Sequence, residues 1–461
     1  MPIKTILLVM AFVFACGGAL FVPLIGVLGY MLHYHVSPET QWWGQPIAHW
    51  GIRYSFLLGA FTGVATIIGH ANLRYGRTFF SRLEWLCLLF LGWVWALTIM
   101  HPTVGTFLGA DTPPVKLAKM LVFAIILTHV VTDQKAVNWV LWILVVGTLY
   151  VGHQANNAPY YMYITGRLDG VGGPDFREAN GLAAHLAACL PIVGIQFLRS
   201  KWKGKILCAV AGVLAVNGIV LTRSRGGLVG LAAGMAVALL TIPKRNRKTI
   251  VAGLIVAALG SYALMDDSFL QRAETITAEE EERDGSAQAR LNVWSASVEM
   301  LKDHPEGVGP GNFAISIGAY ASVLENRDAH STFVLCYSEL GIPGLVLLLV
   351  IIAGTYRTLF RVRRQALSIQ ESHGQDLHLV CYGLIISLTV YLGAGLTVSR
   401  LYSEGFWWFL MMPICLARTM DNLPSSRPDE LEISLELERP GRDRRTRRPA
   451  PRRAEKVLGG V

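Results

Sequence analysis

Few charged side chains interrupt the apolar stretches of this sequence, so those that do are the first candidates for chemistry. Arg223 and Arg225 lie in "GIVLTRSRGGLVGL" (218–231), inside a long apolar region. A guanidinium at a membrane edge is costly unless it faces a cavity or a partner, or snorkels to the headgroups. Snorkelling explains one such arginine equally well. Two of them, flanked by Gly226 and Gly227 that allow a close backbone approach, favour an anion site, because the guanidinium fork grips phosphate oxygens in pairs.

Three further clusters follow. Arg290 sits in "SAQARLNVWSASVEMLKDHP", one helical turn before Trp294. It faces either the membrane side of that helix or a surface ion pair with the acidic run Glu279 to Glu282. His330 stands in "DAHSTFVLCYSELGIPG", just before an apolar span. An imidazole titrates near neutrality and can take a proton there, although a lone histidine at a helix start is more often structural. The stretch "RLDGVGGPDFREANGLAAHLA" (167–187) carries Arg167, Arg177 and Asn180, and reads otherwise as a polar loop. No H-e-x-x-H, C-x-x-C or Asp-x-Asp pattern offers a metal ligand set.

These residues must be positioned by membrane helices. Of the 461 residues 52% are hydrophobic and 16% charged, against about 25% charged in a soluble domain. The fold class expected is an all-α polytopic membrane protein with about 12 transmembrane helices and one large periplasmic loop containing short helices. The spans are 5–32, 49–69, 83–100, 115–132, 137–152, 179–198, 205–221, 226–242, 249–265, 332–357, 377–398 and 404–419, each long enough for a core of about 30 Å. Gly17, Gly18 and Pro23 interrupt the first, which is one broken crossing or a short hairpin. The organisation expected is 1–265 with the N-terminal helices, 266–331 as the outer loop, 332–420 with the C-terminal helices, and 421–461 as a basic, disordered cytoplasmic tail.

Charge orients the spans. Arg74, Arg77 and Arg82 lie in one loop, Arg199, Lys201, Lys203 and Lys205 in a second, Lys244, Arg245, Arg247 and Lys248 in a third, and Arg357, Arg361, Arg363 and Arg364 open a fourth. Positive loops stay in the cytoplasm. With 5–32 as one crossing, both termini fall inside, and 153–178, 222–225, 266–331 and the turn at Arg400 fall outside. The net charge of +9 then belongs to an anionic leaflet and not to nucleic acid. The seven cysteines fall within apolar segments and read as small core residues. In the outer loop, Ser286 is expected to cap a helix whose apolar stripe is Leu291, Trp294, Val298 and Leu301, and "PEGVGPGNF" reads as a turn that ends it.

Several arginines and one histidine therefore gather at the outer membrane surface. Such a site suits a lipid phosphate or pyrophosphate. Arginines can neutralise a leaving pyrophosphate as a divalent metal would, while a neutral histidine removes a proton from an attacking hydroxyl. That is glycosyl transfer from a lipid-pyrophosphate donor.

The stretches "LTRSRGGLVGL", "ARLNVWSASVEMLKDHPEGVGPGNF" and "AHSTFVLCYSELGIPG", in that order around a long outer loop, resemble the O-antigen ligase family within the O-antigen ligase and polymerase superfamily. The N-terminal "YHVSPETQWWG" and "RTFFSRLEWLCLLF" resemble its exosortase-associated O-glycosylation ligases. The resemblance implies a metal-independent, cofactor-free, inverting glycosyltransferase of the bacterial inner membrane, facing the periplasm. Its donor would be an undecaprenyl-pyrophosphate-linked glycan and its acceptor lipid A-core oligosaccharide, both met among membrane lipids. It implies His330 as general base, and Arg225 and Arg290 as catalytic residues that hold the pyrophosphate; Arg223, beside the first motif, and Arg167 and Asn180, from the 167–187 cluster, are read from their own positions as further substrate-binding residues. An O-antigen polymerase or a protein O-oligosaccharyltransferase would share this chemistry. A transporter of lipid-linked glycan would instead favour charges deep in the spans and internal repeats, and a passive scaffold would not need His330.

Overall fold

The computed structural model describes residues 2–48, 50–69, 79–102, 111–164, 166–264, 285–369 and 372–423. Arg74, Arg77, the run Glu279 to Glu282 and nearly all of the basic tail lie outside them. In chain order the main elements are α1 (Ile3–Phe21), α2 (Pro23–Val36), α3 (Tyr54–Ile68), α4 (Arg82–Met100), α5 (Pro113–Val130) and α6 (Gln134–Asn156). A small antiparallel pair, β1 (Tyr163–Ile164) and β2 (Arg167–Leu168), precedes α7 (Ala179–Arg199), α8 (Trp202–Thr222), α9 (Arg225–Leu240) and α10 (Arg247–Leu264). Then come α11 (Gly285–Asp303), α12 (Thr332–Ser368), α13 (Ser372–Gly395) and α14 (Glu404–Asp421).

The protein is an all-α polytopic membrane protein, and every span read from hydropathy coincides with helix. Eight helices among the described residues are long and apolar enough to cross a membrane, or nine if the pair 225–240 and 244–260, bent by 106°, makes one span. The first span divides at Val22–Pro23, where proline cannot continue the hydrogen-bond ladder. Its halves then fold back on each other: a Cβ added at Gly26 would lie 2.8 Å from that of Ala19, and one at Gly29 3.1 Å from that of Ala15. Thr5 Oγ1 donates to the carbonyl of Trp43, so α1 begins at the end of the bundle that holds residues 37–45. The pair is a hairpin, and the single crossing is corrected accordingly.

Each end of the bundle is fastened by polar groups that would otherwise be costly in an apolar medium. At the basic end Ser81 and Glu84 form a reciprocal capping box on α4. The fully buried Glu84 also accepts from Arg418 Nη2 at 2.9 Å and from Thr128 Oγ1 at 2.6 Å. At the same end Arg199 pairs with Asp376. Glycines let α9 approach α13 closely: a Cβ at Gly230 would meet the Val390 carbonyl oxygen at 2.5 Å. The aromatic core centres on α14, where Phe406, Trp407, Trp408 and Phe409 are fully buried. All seven cysteines are buried and unbridged.

In the segment between α10 and α12 the structure corrects the expected cap and adds to the other two readings. On α11 the buried stripe is Val293, Ser297 and Met300, while Leu291 and Val298 are exposed. Ser297 tolerates burial because its hydroxyl donates to the Val293 carbonyl at 2.7 Å. Ser286 falls inside the helix instead of capping it, and its side chain lies outside the described residues. The glycine-rich "PEGVGPGNF" is more than a turn. It docks on a break in α12 at Gly341, whose φ is 67°. Val308 N and Gly309 N donate to the carbonyls of Ser338 (3.0 Å) and Glu339 (2.9 Å), and Ile342 N donates to that of Pro305 at 2.9 Å. Trp93 Nε1 donates to the Leu340 carbonyl at 2.8 Å. The loop thus satisfies backbone groups that the break releases.

Candidate active site

The sequence "LTRSRGG" ends one helix and starts the next within three residues. Arg223 closes α8 in the left-handed region (φ 48°), a conformation usually left to glycine. Ser224 then caps α9, its Oγ accepting from Gly227 N at 3.3 Å. Arg225 is the first residue of α9, at the positive end of its dipole. Gly226 packs where a Cβ would lie 2.6 Å from Thr397 Oγ1, and Gly227 where one would lie 3.0 Å from the Ala183 Cβ. Both glycines hold the arginine-bearing turn against α7 and the end of α13.

A polar relay ties this turn to the preceding loop. Asn180 Oδ1 accepts from Ser224 Oγ at 2.8 Å and from Arg167 Nη2 at 2.9 Å. Arg167 Nε donates to the Thr222 carbonyl at 3.2 Å. One amide oxygen therefore joins β2, α7 and the α9 cap. Gly166 turns the β hairpin at φ 74° beside Arg223, whose Nη1 would be 2.8 Å from a Cβ there.

The histidine arrives from the other side. Trp294 Nε1 donates to the Ala329 carbonyl at 2.9 Å, fastening α11, and with it Arg290, beside His330. His330 also has a left-handed backbone, φ 47°. Such departures cluster at functional sites, where surrounding contacts hold them. Ser331 caps α12, and Thr332 Oγ1 donates to the Val398 carbonyl at 2.8 Å. The segment 397–398 thus separates the Gly226 and Thr332 neighbourhoods. Burial pushes the His330 imidazole below its ordinary pKa; Asp328 and Glu178 pull the other way, and Arg290 and Arg167 reinforce the lowering. The net effect keeps the ring neutral and able to accept a proton.

Of the residues singled out in the sequence, Arg167, Asn180, Arg223 and Arg225 share the turn, and Arg167 and Arg290 both act electrostatically on His330. All lie at the end of the bundle opposite Arg199, Glu84 and Arg418. Arg177 contributes its carbonyl, which accepts from Gly170 N at 2.6 Å.

Sequence reasoning missed a neighbouring buried network. Arg400 Nη1 donates to the Asp175 carbonyl at 2.9 Å, and its Nη2 lies 3.8 Å from Glu178 Oε2. Asp175 accepts from Tyr34 Oη (3.0 Å), Lys116 Nζ (2.9 Å) and Glu404 N (2.9 Å). Burial opposes its ionisation, but Lys116 and Arg400 hold the carboxyl below its usual range. Arg400 was legible as a lone charge between apolar spans. Its partners come from segments far apart in the chain. Among the described residues no three His, Cys, Asp or Glu side chains gather as a metal site.

The fold and this site define a multi-pass helical membrane protein that gathers cationic side chains and a neutral imidazole at one end. Residues 210–349 match the family described as O-antigen ligase, a stretch containing Arg223, Arg225, Arg290 and His330. The chain is 25% identical over 273 residues to an O-antigen polymerase of Salmonella muenchen, an alignment covering 57% of this chain and 64% of that relative's length. Both matches support the O-antigen ligase and polymerase superfamily for this chain, as its motifs implied.

Proposed function

We propose that the protein is an O-antigen ligase of the inner membrane. It takes a glycan from undecaprenyl pyrophosphate and transfers it to a hydroxyl of lipid A-core oligosaccharide on the periplasmic face. The observation that carries this reading is the Trp294–Ala329 bond, which fastens the helix bearing Arg290 beside His330, together with the Asn180 relay that ties Arg167 to the arginine-bearing turn. His330 accepts the proton of the acceptor hydroxyl. The oxygen attacks the anomeric carbon as its bond to the pyrophosphate oxygen breaks, with inversion. The electron pair leaves on the pyrophosphate, whose charge Arg225 and Arg290 neutralise, with Arg223, Arg167 and Asn180 shaping the anion site. The imidazolium then loses its proton to water.

The name of the Salmonella muenchen relative favours a second reading of the same chemistry, an O-antigen polymerase, in which the acceptor is another lipid-linked glycan. Reconstitution in liposomes with the lipid-linked donor and each acceptor in turn separates the two. Lipid A-core glycosylation in the presence of EDTA supports the ligase. Growth of the lipid-linked glycan alone supports the polymerase. Movement of labelled lipid across the vesicle without any transfer overturns both.

A further inference from the structure

We propose that Asp328 is a positioning residue for His330: one carboxylate oxygen holds both the backbone and the ring of the histidine, presenting Nε2 to the acceptor hydroxyl. This rests on His330 acting as the base. Asp328 Oδ2 accepts from His330 N at 3.0 Å and lies 3.3 Å from His330 Nδ1. The first contact steadies the left-handed backbone at His330, a conformation that residues other than glycine seldom adopt. The second places a negative charge against Nδ1, favouring the tautomer with its proton there and leaving Nε2 with a lone pair.

Asp328 is itself oriented. Ser399 Oγ lies 3.2 Å from Asp328 Oδ1 and 3.0 Å from Oδ2, donating to the carboxylate from the segment that follows α13. That segment also seats Thr332, so base, orienting acid and supporting hydroxyl come from two segments pinned together. An acid that orients a histidine and stabilises the imidazolium formed in proton transfer is a recurrent arrangement in acyl transfer. The other charged groups that bear on His330 are Arg290 from α11, Arg167 from β2 and Glu178 before α7.

The test uses the full chain with ¹⁵N-labelled histidine rings, the His330 signal identified by its loss in His330→Gln. Above the histidine pKa the wild type shows Nδ1 protonated and Nε2 bare, and Asp328→Ala shows a mixture or the opposite tautomer. A wild type protonated at Nε2, or a tautomer unchanged in Asp328→Ala, overturns the proposal. This readout needs no activity, so it decides the proposal even if the wild type transfers no glycan, a result that would sink the functional reading instead. In the transfer assay Asp328→Asn lowers kcat about 100-fold with the donor KM unchanged. The acidic limb of its pH profile moves to lower pH, because the charge that favours protonation of the ring is gone. Asp328→Glu recovers part of the rate, and Ser399→Ala moves the limb in the same direction by less. A loss uniform at all pH values, with the limb unmoved and KM raised, marks a merely structural role and overturns the assignment.

Discussion

Trp294 donates its indole N–H to the Ala329 carbonyl at 2.9 Å, and this one bond ties the helix bearing Arg290 to the residue next to His330. Arg290 precedes Trp294 by four residues, so both project from one face of α11. The indole therefore sets the distance between a cation and the base. Trp294→Phe keeps the ring's bulk and loses the bond. We expect a cost of about 1 kcal/mol in stability and a fall in kcat of several fold, with α11 still helical. Paired thermal unfolding and transfer assays check this; a Trp294→Phe variant as active as wild type would contradict it.

Asn180 shows how a neutral acceptor can hold a cation site together. Its Oδ1 serves Ser224 and Arg167 at once. Asn180→Ala strands both donors and is expected to cost about 1.5–3 kcal/mol, the range for bonds to charged groups. Asn180→Asp keeps the acceptor and hence most of the stability, but adds a negative charge to an anion site. Donor affinity should fall in both variants while the thermal midpoint falls mainly in Asn180→Ala. Tighter donor binding in Asn180→Asp would contradict the assignment of this region to an anion.

The break in α12 depends on a residue without a side chain. Gly341 has φ 67°, and a Cβ there would collide with backbone atoms of Pro305 and Glu306. Gly341→Ala combines backbone strain with a clash that no side-chain rotation relieves, and should cost about 2–4 kcal/mol. The measurement is the thermal midpoint of the solubilised protein. Gly253→Ala, inside α10 where no atom lies near, serves as the control and should not lower the midpoint, since alanine is the better helix former by about 1 kcal/mol.

Not every buried arginine belongs to the site. Arg418 faces Glu84 at the opposite end of the bundle. Removing it takes the arginine charge from a fully buried carboxylate that keeps only the Ser81 N–H, the Thr128 hydroxyl and the nearby His129 ring, at an expected cost of about 3 kcal/mol. Arg418→Ala should therefore lower the yield and thermal midpoint of folded protein, while the folded fraction binds donor with wild-type affinity. Weakened donor affinity in that fraction would contradict a purely structural role.

The helices and the principal charges were legible because lipid imposes simple demands: long apolar spans, basic loops on one side, and a partner for each charge near the membrane. His330, Arg225 and Arg290 stood out for that reason. Asp328 did not, because an aspartate two residues from a histidine is unremarkable until the left-handed turn folds it back onto the ring. The Asp175 network was hidden for another reason, since Tyr34, Lys116, Asp175, Arg400 and Glu404 meet only when three helices and two connecting segments pack together. The buried face of α11 was not apparent because the helix carries a second stripe at nearly the same period as the apolar one. The buried one includes Ser297, whose polarity is cancelled within its own helix. Hydropathy could not place the hairpin α1–α2 either, since the contacts of Gly26 and Gly29 that define it concern backbone proximity.

The central claim is that arginines hold the donor while His330 moves the proton. Donor binding and single-turnover transfer, measured together on His330→Ala and Arg290→Ala, test it most directly. His330→Ala should bind the undecaprenyl-pyrophosphate glycan as wild type does and transfer none of it across the pH range, whereas Arg290→Ala should lose donor affinity by at least about tenfold. Undiminished transfer by His330→Ala, or unchanged donor affinity in Arg290→Ala, would contradict the account.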